Sequence, residues 1–378
     1  MISLHLRRVR TRFMKTHFRT RSGLDISLPL FFPDATRGVV RQLDNQDLVA
    51  TKTPGVLVNA YHLWREVPAL RLDKLGGIRG LMGWKGAVIS DSGGFQVMSL
   101  AKKKGQFGRV TDQGVWFKPE NGKKELLTPE ISVRYQLLLQ TDLVVALDDF
   151  TPPTATKREG RETVERTILW AKQSKQAYEE GCKKLGTAPN EKPYLIGVVQ
   201  GGFDQNLRKE CAERLVEIGF DGLGYGGWPI TLEGELDHES ATTIARAAPK
   251  DYFLYGLGIG KPENIVECVK MGYQIFDCVL PTRDARHGRM YVFNAPDIGE
   301  IDVNSPDFYE YYVPGKAQHL DSDSPISMAC DCHTCRNYSR AYLAHLFRIK
   351  DTLAWRLATI HNLRFYAILL EKLRSVIK

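Results

Sequence analysis

Short apolar runs recur along the chain, each closed by Gly, Asp, Asn or Pro and followed by helix-like spacing. They are Leu30–Phe32, Val56–Asn59, Ala87–Ser90, Leu143–Leu147, Leu195–Val199, Phe220–Tyr225, Tyr252–Leu257 and Ile275–Leu280. Helical patterns such as Glu162–Glu180 and Asn206–Ile218 separate them. A run without polar alternation must be covered on both faces, so strands separated by helices predict a buried parallel sheet. Eight such units predict an α/β fold closed as a (β/α)8, TIM-like barrel, with functional residues at the C-terminal ends of its strands.

One segment breaks the alternation. Gln106–Lys124 has period-two polarity around Gln-Gly and Asn-Gly pairs, which are tight-turn chemistry, and predicts an inserted β-hairpin or small antiparallel sheet. From Pro296 to Pro325 the chain turns acidic and rich in turn formers, which reads as a connection into a C-terminal module. The expected division is a catalytic barrel over residues 1–295, with an N-terminal extension and the insertion, and a subdomain over 296–378 packed on it.

Composition adds a partner. The 378 residues are 43% hydrophobic and 25% charged, an ordinary globular balance. Lys and Arg outnumber Asp and Glu by 52 to 44, for a formal charge of +8. That excess favours a polyanion, nucleic acid first. The basic opening stretch, with Arg7, Arg8, Arg10, Arg12, Lys15, Arg19 and Arg21, lacks the apolar segment of a secretory signal. No apolar run approaches the ~20 residues that span a bilayer, so a cytoplasmic protein with no membrane partner is expected.

Cys182, Cys211, Cys268 and Cys278 are scattered, whereas Cys330, Cys332 and Cys335 crowd together. That pattern fits one metal site better than a disulfide framework. His333, His345 and His361 are the available fourth donors. Polar residues also close the apolar runs: Asp91, Asp148 with Asp149, Gln200, Gly226 with Gly227, the stretch Gly256–Gly260, and Asp277. A single Asp after a strand is most often a helix cap. Several that meet at one barrel mouth suit a nucleophile, an acid/base and a substrate anchor. Paired glycines at 93–94, 201–202 and 226–227 would let a flat ligand press on backbone amides.

Several of these stretches form a recognisable set. Asp91-Ser-Gly-Gly-Phe-Gln-Val-Met-Ser99, Gly197-Val-Val-Gln-Gly-Gly202 and Phe276-Asp-Cys-Val-Leu-Pro-Thr-Arg283 resemble the tRNA-guanine transglycosylase (queuine tRNA-ribosyltransferase) family, bacterial type. Cys330-Asp-Cys-His-Thr-Cys335, Thr359-Ile-His-Asn-Leu-Arg-Phe-Tyr366, Asn59-Ala-Tyr-His-Leu63 and Leu81-Met-Gly-Trp84 extend the likeness from about residue 20 to the C-terminus.

The resemblance implies exchange of the wobble guanine of certain tRNAs for a 7-deazaguanine base. It implies Asp277 as nucleophile on the ribose anomeric carbon and Asp91 as general acid/base. Asp148 and Gln200 would read the purine's polar edge, with an N–H of Gly226 or Gly227, and Phe95 and Leu257 would contact the base. Arg283 and Arg286 would hold the tRNA anticodon loop. It further implies a structural zinc ion on Cys330, Cys332, Cys335 and His361, a full tetrahedral shell with no open position for catalysis. Tyr338, Tyr342 and His345 match positions that pack across a homodimer.

The chain also departs from the bacterial pattern. Where such members continue Leu-Ala-Val-Gly-Glu after the paired glycines, this chain has Trp228-Pro-Ile-Thr-Leu232, and Glu233 falls one position late. Phe150 stands where many carry Cys. Pro229 has no N–H to give. The expected base is 7-aminomethyl-7-deazaguanine or queuine, rather than the 7-cyano precursor, because an archaeal-type RNA-binding extension is missing. Two other readings compete: a non-catalytic tRNA-binding subunit of a heterodimer, against which the presence of both Asp91 and Asp277 argues, and a DNA-acting relative.

Overall fold

The apolar runs fold as strands. In a computed structural model that describes residues 15–102, 108–118 and 122–377, they are β1 (Leu30–Pro33), β2 (Gly55–Asn59), β3 (Ala87–Asp91) and β4 (Leu143–Val145). β5 (Tyr194–Val199), β6 (Gly222–Tyr225), β7 (Phe253–Gly256) and β8 (Ile275–Cys278) follow. They form one parallel sheet in the order β1-β8-β7-β6-β5-β4-β3-β2. A parallel bridge between Asp34 and Leu57, with Ala35 N–H donating to Leu57 O at 2.7 Å, brings β1 and β2 together and closes the barrel.

Side-chain alternation then sorts the strand residues into two cores. Leu30, Phe32, Leu57, Ala87, Ile89, Leu143, Val145, Ile196, Val198, Phe253, Tyr255 and Ile275 fill the barrel. The alternate set, including Phe31, Val56, Val58, Val88, Val144, Leu195, Leu254 and Phe276, packs outward on the helices. A hairpin that the sequence reading missed, His17–Arg19 with Asp25–Ser27, plugs the barrel bottom. Its Phe18 is fully buried, with ring centroids 5.3 Å from Tyr194 and 5.9 Å from Phe253.

Element ends moved where caps, not apolar spacing, set them. The helix expected over Glu162–Glu180 runs Lys157–Lys184, because Thr156 and Glu159 form a capping box ahead of its charged first turn. The run expected to continue to Leu280 ends at Cys278, because Pro281 opens the helix Leu280–Arg286. The insertion is a three-stranded antiparallel sheet of Gly108–Thr111, Gly114–Phe117 and Glu125–Leu127, so it reaches past Lys124. Part of the expected Asn-Gly turn falls on residues 119–121, outside the described residues.

After the barrel come the antiparallel pair Met290–Phe293 and Tyr309–Tyr312, and the helices His333–Asn337, Arg340–Arg348 and Thr352–Ile377. Ile360, Leu363, Phe365, Tyr366, Ile368 and Leu369 of the last helix join the outer core, and Tyr366 lies 4.6 Å from Phe31 ring to ring. Among the described residues no helix is long and apolar enough to cross a membrane.

Candidate active site and metal centre

Asp277, the penultimate residue of β8, points to the barrel mouth, where its Oδ1 accepts from Tyr255 OH at 2.7 Å and from Gly258 N–H at 3.2 Å. Gly258 has φ +71, a conformation that turns its amide inward at no steric cost. Asp91 ends β3, with Oδ2 accepting from Asn59 Nδ2 at 2.9 Å and Oδ1 from Gly93 N–H at 3.1 Å. Asn59 is itself held, because its Oδ1 caps the next helix through His62 N–H. Burial, and then the charge of Asp277, push Asp91 up to about 7. Burial pushes Asp277 up to about 6, against the opposing bonds from Tyr255 and Gly258. The charge of an ionised Asp277 disfavours a second charge on Asp91, an arrangement that suits one carboxyl to hold a proton while the other is ionised.

Asp148 follows β4, and its Oδ2 accepts from Gln200 Nε2 at 2.5 Å. Gln200, fully buried after β5, accepts at Oε1 from Thr151 N–H at 3.0 Å. Its carbonyl end is therefore committed, and the second N–H of its amide remains beside the Asp148 carboxylate. Burial raises Asp148 to about 6. Capping does not explain these acids: Thr156 caps the helix after β4, and Val279 precedes the helix after β8. Asp149 turns away and pairs with Arg166.

Of the two glycine amides, Gly226 N–H donates to Val199 O at 3.0 Å, while Gly227 N–H has no acceptor among the described residues. Phe95 is half exposed on the helix Gly94–Lys102 and meets Phe150 edge-on at 5.3 Å. Leu257 is partly buried and covers Gly224 of β6. Trp228 is half exposed, on a flap closed by the Ile230–Leu236 bridge. Arg283 is exposed and Arg286 half-buried on the helix that follows Asp277. Burial, and then the neighbouring Arg41, lower the pKa of Arg286, with Asp34 opposing them.

Cys330, Cys332, Cys335 and His361 come together with their ligand atoms all within 4.8 Å of one another, a group that could hold a metal ion. His361 Nδ1 lies 3.2 Å from Cys335 Sγ and 3.7 Å from Cys332 Sγ. Its Nε2 lies 2.7 Å from Tyr291 O, so the proton belongs there and the Nδ1 lone pair faces the sulfurs. Cys335 N–H donates to Cys332 Sγ at 3.3 Å, as at a thiolate ligand. Burial disfavours a charge on this ring, while the Cys335 and Cys332 sulfurs favour positive charge beside them. That nook favours positive charge, and a bound cation would meet the same demand. His333 and His345 are exposed and stand outside the group.

A closed parallel barrel with carboxylates at its mouth and a three-cysteine, one-histidine group on its C-terminal helices defines a class of barrel proteins with a metal-binding appendage. The sequence model of one family, described as queuine tRNA-ribosyltransferase, matches residues 11–378. Queuine tRNA-ribosyltransferases of Shewanella sp. (strain W3-18-1) and Shewanella putrefaciens (strain CN-32 / ATCC BAA-453) are 38% identical over 354 residues, 93% of this chain and 87% of theirs. That of Shewanella baltica (strain OS155 / ATCC BAA-1091) is similar to the same extent. The chain belongs to the queuine tRNA-ribosyltransferase family.

Sequence reasoning gave no role to several residues at the site. Asn59, which closes an apolar run, was visible as a polar strand end. Tyr255 looked like core, because its ring is core and only its hydroxyl reaches Asp277. Arg208 lies within the helical pattern Asn206–Ile218 and was given no role, yet it is fully buried.

Proposed function

We propose that this protein is a tRNA-guanine transglycosylase, a pentosyltransferase that exchanges the wobble guanine of target tRNAs for a 7-deazaguanine base in queuosine formation. The observation that carries the reading is the meeting at one barrel mouth of Asp277 and Asp91, with pKa values near 6 and 7, beside the Asp148–Gln200 pair. Ionised Asp277 attacks C1′ of the ribose as the C1′–N9 bond breaks, and Asp91 gives its proton to the departing guanine. The incoming base then loses a proton to Asp91, its N9 attacks C1′, and the Asp277–C1′ bond breaks. Two inversions retain configuration, as in retaining glycosidases.

Asp148 accepts the N–H groups of the guanine edge, and Gln200 and Gly227 donate to its oxygen. Phe95 stacks on the base and Leu257 lines its pocket. Arg283 and Arg286 hold the anticodon loop through phosphates. Zinc is the metal that three thiolates and an imidazole suit best; it supplies bracing rather than chemistry, because that shell leaves no open position. The working division puts the zinc subdomain after about residue 295, a homodimer across Tyr338, Tyr342 and His345, and the cytoplasm as the compartment.

The reading is tested by incubating unmodified tRNA with labelled guanine, 7-aminomethyl-7-deazaguanine or queuine, followed by nucleoside mass spectrometry. Incorporation is expected for guanine and at least one deazaguanine. Asp277→Asn should abolish it while tRNA binding persists. Wild-type protein that incorporates none of them would sink the assignment.

A further inference from the structure

Behind the Gln200–Gly227 side of the mouth lies a guanidinium with no exposure to solvent. Arg208 comes from the helix Gln205–Ile218, and its Nε donates to Gly202 O at 2.8 Å. Its Nη1 donates to Val199 O and to Gly226 O, both at 2.7 Å. The guanidinium lies 4.6 Å from the centroid of the Tyr225 ring. Its Nη2 has no hydrogen-bond partner among the described residues. A Cβ built on Gly227 would stand 3.4 Å from that Nη2 and 3.5 Å from Gln200 Oε1, so the free donor lies directly beneath Gly227.

A buried charge held by carbonyls and a ring face, with no carboxylate hydrogen-bonded to it, is expensive to keep, and a helix position offers it an exit to water. Its placement has a geometric consequence. Within a trans peptide the C=O and the following N–H point in opposite directions. Arg208 pulls the Gly226 carbonyl inward, so the Gly227 N–H must face outward, and that N–H is the uncommitted one. The same fork grips Val199 O, one residue before Gln200, and Gly202 O, two residues after it. One planar, forked cation thus fixes both loops that carry the base-reading donors. A lysine ammonium has no such fork and cannot span the three carbonyls.

We propose that Arg208 is a positioning residue for base recognition: it aims the Gly227 amide, with the Gln200 amide beside it, at the exocyclic oxygen of the purine. The proposal rests on the reading of this mouth as a 6-oxopurine pocket. Arg208 itself touches no substrate.

The test uses zinc-loaded, full-length protein and equilibrium dialysis of guanine against 6-thioguanine, which keeps the donors of guanine's edge but replaces oxygen with a weakly accepting sulfur. Wild type should prefer guanine on the order of tenfold, the size of one hydrogen bond. Arg208→Ala should bring the two affinities together by weakening guanine alone, leave tRNA affinity unchanged, and regain the preference with added guanidinium ion at concentrations too low to unfold the protein. Arg208→Lys carries the same readout where the alanine variant does not fold, and should also lose the preference. A folded variant that keeps the wild-type preference, or that weakens both bases equally, would overturn the proposal. So would a wild type that binds both bases alike. A wild type that binds neither removes the pocket reading itself, a different failure.

Discussion

Burial raises Asp91, Asp148 and Asp277, yet their partners set them apart. Asp277 is held near 6 by a phenol and a backbone amide, while Asp91, with the charge of Asp277 nearby, rises to about 7. If Asp277 must be ionised and Asp91 protonated, kcat/KM should fall below about pH 6 and again above about pH 7, as macroscopic values of the coupled pair. A flat profile between pH 5 and 9 (roughly, the span of such shifted carboxylates) would refute the assignment. The same shift has a stability consequence. A carboxyl at about 7 in the folded protein and ~4 unfolded carries no penalty below the lower value, where both states are protonated. Its ionisation destabilises the fold progressively as pH rises to about 7, and the loss is constant above that. Asp91→Asn should therefore match wild type in Tm near pH 4 and exceed it at pH 8, by calorimetry across that range. An equal Tm at both pH values would mean that Asp91 is not raised.

At the scale of elements, one helix ties the metal group to the segment that follows Asp277. From Thr352–Ile377, His361 bonds Tyr291 O, and Asn362 donates to Pro281 O at 2.9 Å and Arg289 O at 3.1 Å while accepting from Tyr291 N–H at 3.2 Å. Tyr366 OH donates to Gly260 O at 2.5 Å, beside the turn that aims Gly258. Stripping the metal with a chelator should loosen residues 280–291 first, seen as faster amide exchange there than in the barrel strands. The KM for tRNA should rise more than kcat falls, because Arg283 and Arg286 ride on that segment while the barrel core stays packed. Uniform loosening of the whole chain would contradict this coupling. The cysteine cluster was legible because its three thiols happen to lie close in sequence, whereas the residues alone left His361 as one of three candidate fourth donors and only the resemblance singled it out. The Asn362 and Tyr366 bonds were not legible: both side chains sit in an apolar helix where composition signals packing alone.

For the whole molecule, the barrel was readable because every strand is apolar on both faces, a pattern that few other folds impose. The plug at its bottom was not, since Phe18 gains its meaning only from Tyr194 and Phe253, which are remote in sequence. The charge of +8 was readable as a preference for a polyanion, but the grouping of Arg41 with Arg283 and Arg286 was not. The structure crowds Arg41, Arg283 and Arg286 beside Asp34 at the rim. If these cations neutralise anticodon-loop phosphates, tRNA affinity must fall with salt, because each phosphate contact releases condensed counterions. The slope of log affinity against log salt is ~0.7 per contact on single-stranded nucleic acid. Arg283→Ala with Arg286→Ala should then flatten that slope by about 1 to 1.5 and weaken tRNA binding at low salt most of all. Guanine affinity should not change, because Asp148, Gln200 and Gly227 lie on the β4 to β6 side of the barrel and these arginines follow β8. A double variant with an unaltered salt slope would place the tRNA contact elsewhere on the basic surface.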